Sequence, residues 1–387
     1  MTAEDRAPRR PGVVAVARAV GVSPSTVSNA FNRPERLSPA LRERVLRTAA
    51  ELGYGGPDPV ARSLRSGRAG AIGVVFRRSL ADAFDEPATV ELLRGLSDVT
   101  DPRRLALVLV PGLPEVHPSI GPAVGNAAVD GLIVYSMAAD DPLFQAARRR
   151  RLPTVIVDSP AVADLAAIGG GPAATDPGFV GIDDRAAAET AVRHLLDLGH
   201  RRLAVLSFGL TAHSRPGPAD LDHQAEAVAS VPKARLEGSA RAVEAAGLGW
   251  SGVDVELVPV TSPEGCLAGA RALLDRARGV TAVFAFSDPL ALAVREAARE
   301  RGLAVPGDLS IVGFDDTAPA GEGLTTIHQP LRDKGRIAAE RLLAALGEDP
   351  PPGSGELLPT RLVVRDSTAP PGGHLPTRRR TTRQARG

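Results

Sequence analysis

The segment "VGVSPSTVSNAFN", Val20 to Asn32, gathers hydroxyl and amide side chains at helical spacing. Ser23 is a good N-cap, and Pro24 suits the first helical position. Val27, Ala30 and Phe31 share one apolar face, which leaves Pro24, Ser25, Ser28 and Asn29 facing outward. An asparagine amide pairs bidentately with adenine, and a serine hydroxyl bonds phosphate or either class of base. The plain alternative is an ordinary solvated helix face. A second set lies in "GGPDPVARSLRSGR", Gly55 to Arg68, where Val60 and Leu64 stand four apart among Arg62, Arg65 and Arg68. An apolar residue among arginines is what a minor-groove wedge requires. A helix this short is not stable alone, so it needs a twin helix or DNA to form.

A third set sits where apolar runs end. "FSD" (Phe286–Asp288) and "GFDD" (Gly313–Asp316) each close a strand-like run, Arg235 opens "RLEG", and Asp183 follows a strand in "VGIDDR". In open α/β sheets ligands bind beyond the carboxyl ends of strands. For each carboxylate the plain alternative is a helix N-cap or first-turn residue, and this is the preferred reading for Asp288 and Asp316.

Catalysis finds little support. His194 and His200 are close in sequence, but His200 in "LGHRR" reads as a C-terminal cap. There is no G-x-S-x-G elbow, no metal-spaced His/Cys cluster and no P-loop. No metal, catalytic residue or cofactor is expected. Cys266 is the single cysteine, reads as a small buried hydrophobe, and fits a reducing compartment.

The elements that must position these residues are legible. Val13, Val16, Ala17 and Val20 mark a helix stopped by Gly21. Ser38 and Pro39 repeat the cap-plus-proline start, and Leu41, Val45, Ala49 and Leu52 continue at helical spacing. Three short helices with a Gly-containing turn describe a helix-turn-helix unit. Beyond it, strand-like runs ("AIGVVF", "LALVLV", "DGLIVYS", "PTVIVDS", "RLAVLSF", "VELVPV", "AVFAF", "LSIVGFD", "RLVVRDS") alternate with helical ones. The pattern predicts α/β architecture with two parallel sheets.

Charge separates the same regions. Residues 1–68 carry 12 Arg, no Lys and 6 acids, hence +6, and residues 378–387 carry 5 Arg and no acid, hence +5. With a chain total of +1, residues 69–377 must be −10. A basic front piece on an acidic body points to a polyanionic partner for the front. The apolar runs are too short to span a membrane, and the N-terminus has no apolar signal region, so a cytoplasmic location is expected.

The motifs "VAVARAVGVSPSTVSNAFN", "VARSLRSGR", "VDGLIV", "HLLDLGHRRLAVL", "TAVFAFSD", "VPGDLSIVGFDD", "LTTIHQP" and "LVVRDST" resemble the LacI family of bacterial repressors over about residues 12–368. The resemblance implies a helix-turn-helix headpiece joined to a periplasmic-binding-protein-like sensor of two doubly wound lobes, crossed three times by the chain. The expected plan is a disordered N-terminus at 1–11, the headpiece at 12–56 and a linker with hinge helix at 57–68. The sensor takes 69–368, with lobe one at 69–199 and 328–356 and lobe two at 200–327 and 357–368. A disordered basic tail at 369–387 completes it.

The resemblance implies DNA contacts from Ser23, Pro24, Ser25, Thr26, Ser28, Asn29 and Asn32, and from Val60, Ala61 and Leu64 in the hinge. It implies ligand contacts from Arg235, Ser287, Phe314 and Asp315, with Asp183 as a further candidate. The expected partners are a pseudo-palindromic operator, a small effector with carbohydrate favoured, and a second copy in a homodimer. Three departures stand out. Gly12 replaces the usual Thr cap, Ser287 replaces the usual Asn, and Tyr54 to Leu64 is one residue longer than in the best-known members. A free solute-binding protein of related fold is the alternative for the body, and an enzyme of related fold is a weaker one.

Overall fold

The structure is a computed structural model that describes residues 12–56, 67–77, 79–112, 121–160, 178–211, 213–259, 262–321, 323–347 and 355–372. The N-terminal tail, the hinge segment with Val60, Ala61 and Leu64, and residues 373–387 lie outside the described residues. The chain divides after Gly70 into two compact units.

The first unit is three helices, α1 (Val13–Val20), α2 (Pro24–Asn32) and α3 (Pro39–Glu51). Gly12 caps α1 without a side-chain bond. Gly21 ends α1 at φ 74°, a left-handed conformation that suits glycine and makes the turn into α2. Ser23 Oγ accepts from the Thr26 amide at 3.1 Å and holds the start of α2. Val16, Ala17, Val27, Ala30, Val45 and Ala49 form the core, with Phe31 and Tyr54 meeting edge to face at 5.8 Å.

The second unit has thirteen strands among the described residues: β1 (Ala71–Phe76), β2 (Ala106–Val110), β3 (Gly131–Tyr135), β4 (Thr154–Val157), β5 (Gly178–Ile182), β6 (Leu203–Phe208), β7 (Gly217–Pro218), β8 (Asp254–Val258), β9 (Ala282–Ala285), β10 (Ser310–Asp315), β11 (Thr325–His328), β12 (Glu356–Leu358) and β13 (Arg361–Val363). One sheet runs β12-β5-β4-β3-β1-β2 and is parallel throughout. The other runs β13-β11-β10-β9-β6-β8-β7, with β13 and β7 antiparallel at its edges. This is the expected pair of lobes. The nine runs listed from sequence omit β7, β11 and β12, which are short, and β5, which was read only as the strand before Asp183.

The lobe boundaries need three corrections. Helix Asp184–Asp197 belongs to lobe two, because Ala187, Ala188, Ala191, Val192, Leu195 and Leu196 enter that lobe's core. Its partner is helix Ser230–Ala245, and the two approach so closely that a methyl group on Gly238 would lie 2.1 Å from the Arg185 carbonyl oxygen. β11 ends lobe two at His328, one residue later than expected. β12 pairs with β5, so lobe one extends to Leu358. The tail boundary also moves. Ala369 is buried, its amide and carbonyl bonding Ser310 Oγ and its carbonyl accepting from the His200 ring, so order continues beyond 368.

Candidate DNA-reading face and interlobe cleft

On α2, Ser23, Pro24, Ser25 and Asn32 are exposed, while Thr26, Ser28 and Asn29 are half-buried. Val27 and Ala30 turn inward as the spacing requires. Ser23 Oγ lies 2.7 Å from Ser25 Oγ and 2.8 Å from Thr26 Oγ1, so the cap also orients two neighbouring hydroxyls. Asn32 Nδ2 donates back to the Ser28 carbonyl at 3.1 Å. Arg33 and Arg36 are exposed just beyond the helix. The result is a face of small neutral hydrogen-bonding groups bordered by positive charge.

In the second unit, a cleft opens between the carboxyl ends of the two sheets, with about 910 Å³ of empty space counted out into its open mouth. Lobe one contributes Tyr135 from the end of β3, Asp158 just past β4, and Glu86 and Thr89 around one helix start. Lobe two contributes Phe208 from the end of β6, Pro232 and Arg235 from helix Ser230–Ala245, and Asp315 from the end of β10. Gln329, on the second crossing between lobes, completes the floor.

The polar groups form one network. Arg235 is 4% exposed, donates Nε to Asp184 Oδ1 at 2.8 Å, and also bonds the Phe286 carbonyl. Its guanidinium carbon lies 3.4 Å from the centroid of the Phe314 ring, a cation–π contact in a dry site. Lys334, fully buried, bonds both Asp158 and the Gln329 side-chain oxygen. Gln329 in turn donates its amide to Asp315. Burial pushes the Asp315 carboxyl well above the usual carboxylate range, opposed by the Arg235 charge. Burial raises Asp184 as well, again against Arg235. The backbone is strained at the same edge: Ser136, Asp158, Asp315 and Asp316 all have left-handed φ, from 50° to 111°. Such a pocket presents carboxylate and amide groups already held in place, suited to a ligand rich in hydroxyls.

Of the five expected ligand residues, the structure brings Arg235 and Asp315 to the cleft. Three others require correction. Asp183 is exposed and caps helix Asp184–Asp197 through the Ala186 amide at 2.9 Å. It is the next residue, Asp184, that turns inward to Arg235. Ser287 is buried as the N-cap of helix Asp288–Glu300, and Phe314 is a fully buried platform beneath Arg235. Asp288 and Asp316 hold structural positions, as preferred from sequence. Asp288 accepts from Thr317 and Thr326, whereas Asp316 bonds His328 and Arg365 rather than capping a helix. His200 is more than a cap, since its ring bonds Thr281, Ser310 and Ala369. Tyr135, Asp158 and Gln329 were missed, although Tyr135 and Asp158 each end or follow a quoted apolar run, the same signal that marked Asp315; Gln329 follows β11, which was not read as a strand. Lys334 had no signal, because a lysine in a helical pattern reads as solvated.

Comparison with known proteins agrees with this architecture. Residues 15–56 match the model for bacterial regulatory proteins of the lacI family, and residues 192–368 match that for a periplasmic binding protein-like domain. The chain is 38% identical over 373 residues, 94% of its length and 98% of the relative's, to HTH-type transcriptional regulator Rv3575c of Mycobacterium tuberculosis. It is 38% identical to HTH-type transcriptional regulator IpsA of Corynebacterium glutamicum, covering 87% of this chain and 92% of that one. Among solved structures, the lac repressor dimer bound to operator and an anti-inducer superposes with TM-score 0.71 at 26% identity, covering 93% of this chain and all of that one. A complex of the transcriptional regulator CelR with cellobiose gives TM-score 0.63 at 30% identity, covering 92% of this chain and 100% of that one. The chain belongs to the lacI family of bacterial regulatory proteins. It is a transcriptional regulator that binds DNA through a helix-turn-helix headpiece.

Proposed function

We propose that the chain acts as a homodimer on a pseudo-palindromic operator in the cytoplasm, that α2 reads bases in the major groove, and that a polyhydroxylated effector in the cleft changes operator affinity. One headpiece reads a half-site, and a dimer reads two with matching symmetry. On α2 the reading falls to Ser25 and Asn29, with Ser23, Pro24, Thr26, Ser28 and Asn32 placing the helix. Val60, Ala61 and Leu64 are assigned to the hinge contact.

The observation that carries the effector reading is the continuous bond path Asp158–Lys334–Gln329–Asp315, which runs from lobe one across a crossing to lobe two. A ligand bonded to Asp315 and Arg235 on one side and to Asp158 or Tyr135 on the other favours one lobe arrangement over another. Such differential affinity is what shifts a conformational equilibrium. The cellobiose bound by CelR supports a sugar. The cleft groups hold and orient a ligand rather than turn it over, so no enzymatic activity is assigned. Two experiments test the reading. Footprinting of the purified protein on genomic DNA should give symmetric protected sites. A melting screen of mono- and disaccharides and polyols should find one that both raises the melting temperature and changes operator affinity. A stabilising compound without effect on operator binding would argue against the coupling.

A further inference from the structure

The edge of the first sheet opposite the cleft carries an unusual concentration of arginine. Arg103 and Arg104 precede β2, and Arg148, Arg149, Arg150 and Arg151 precede β4. The nearby acids are Asp101 before β2 and Asp130 before β3. This stands out on a body whose net charge over 69–377 is −10. Part of the cluster serves the fold. Arg103 donates to the Val99 carbonyl at 3.0 Å, and Arg150 donates to the carbonyls of Val124 and Ala127 at 2.9 and 2.7 Å. Arg148 lies over the Phe144 ring. These contacts satisfy helix C-termini, where positive charge is favourable.

Arg104, Arg149 and Arg151 are exposed, and among the described residues none pairs with a carboxylate. Two of them occupy backbone positions ill-suited to arginine. Arg104 has φ 56° and Arg151 φ 53°, in the left-handed region that glycine and asparagine tolerate best. Among the described residues the other four non-glycine residues with positive φ are Ser136, Asp158 and Asp315, which line the cleft, and Asp316 beside them. Residues kept in strained conformations cluster where a side chain is needed for function. Here the side chain kept, twice, is an exposed guanidinium.

The register places these groups. Ala71 pairs with Ala106, so Arg104 lies two residues before the partner of the first residue of β1. The first strand of the body therefore begins beside Arg104. β2 and β4 are separated by β1 and β3, which puts the two arginine columns roughly 14 Å apart at normal strand spacing. That width is roughly two phosphate steps along one strand of a duplex, and the planar guanidinium matches phosphate bidentately.

We propose that this edge is an accessory DNA-backbone surface, in which Arg104, Arg149 and Arg151 contact phosphates outside the bases read by α2. It rests on the DNA-binding reading and adds a sequence-independent contribution from the sensor body. The test uses the full-length protein and a fluorescent random-sequence duplex, titrated across salt concentrations. The variant R104N/R149Q/R151N should lower the magnitude of the salt slope by roughly two to three per protomer, about 0.9 for each phosphate that is no longer neutralised. Its melting temperature should stay level or rise, because asparagine relieves the left-handed positions. The charge-keeping variant R104K/R151K should retain the parental slope. An unchanged slope in the neutral variant overturns the proposal, as does an equally reduced slope in the lysine variant. A parent protein without any salt-dependent DNA binding would instead overturn the DNA-binding reading itself.

Discussion

The α2 face and the interlobe cleft both present hydrogen-bonding side chains, yet only the cleft buries charge. On α2 the functional groups are neutral, short and exposed or half-buried, and the helix gives Val27 and Ala30 to the headpiece core. In the cleft Arg235, Asp184, Asp315 and Lys334 are buried and bonded to one another or to Gln329. A neutral exposed group can be exchanged with little effect on folding. A buried ion that loses its partner is left with an uncompensated desolvation cost. The two sites should therefore respond to mutation in opposite ways: function without stability on α2, and both together in the cleft.

The largest expected effect comes from Arg235→Ala, which strands Asp184 in the interior. It should cost about 3–5 kcal/mol of unfolding free energy, read from the denaturant midpoint. The double variant Asp184→Asn/Arg235→Met should recover much of that loss, since apolar and neutral replacements remove the unpaired charge. A double variant as unstable as the single one would show that packing over Phe314, not charge, dominates.

Next is the pH dependence of the body. Burial raises Asp288 to about 6 from the ordinary 3.8, against hydrogen bonds from Thr326 and Thr317 that lower it. The folded state thus holds this proton more tightly than the unfolded chain. The stability it contributes is present below about pH 4 and is lost as pH rises through about 6. Between pH 5 and 8 the parent should lose roughly 1.4 kcal/mol that Asp288→Asn does not lose, by linkage. His200 works in the other direction. Burial lowers it from 6.5, so its contribution is complete above that value and is lost as pH falls through the lowered one. Denaturation curves of parent and variant at several pH values test the difference, and parallel curves would remove Asp288 as its source.

The smallest effect on stability, with a clear one on function, is expected on α2. Ser25→Ala or Asn29→Ala should weaken cognate operator binding by about 1–3 kcal/mol and random DNA less. Unfolding should shift by no more than about 0.5 kcal/mol. Equal weakening on both DNAs would reduce these residues to phosphate contacts.

The contrast also decides what could be read from sequence. Caps, proline starts and three-to-four-residue spacing locate α1, α2 and α3 because local rules form them. The cleft is assembled by strand order, which no local pattern contains. Asp315 was found because it ends a long apolar run. Asp183 was chosen over Asp184 although only the second reaches Arg235, because a one-residue step at a helix start reverses the side chain's direction. The expected lobe boundary at 199–200 misplaced one helix for a different reason: Asp184–Asp197 follows its packing partner, Ser230–Ala245, rather than the strand before it. Lys334 has no sequence signature, since its burial exists only once Asp158 and Gln329 converge.

The central claim is that the cleft senses a ligand and the headpiece reads DNA, with Asp315 belonging to the first task alone. The most direct measurement is operator affinity of Asp315→Ala, titrated with the effector found by the melting screen and compared with the parent. A charge-assisted bond of about 1.5–3 kcal/mol predicts a response displaced roughly ten- to a hundredfold toward higher effector concentration. Operator affinity without effector should remain near the parental value. An unchanged effector response with a lowered melting temperature would contradict the account and leave Asp315 a structural group.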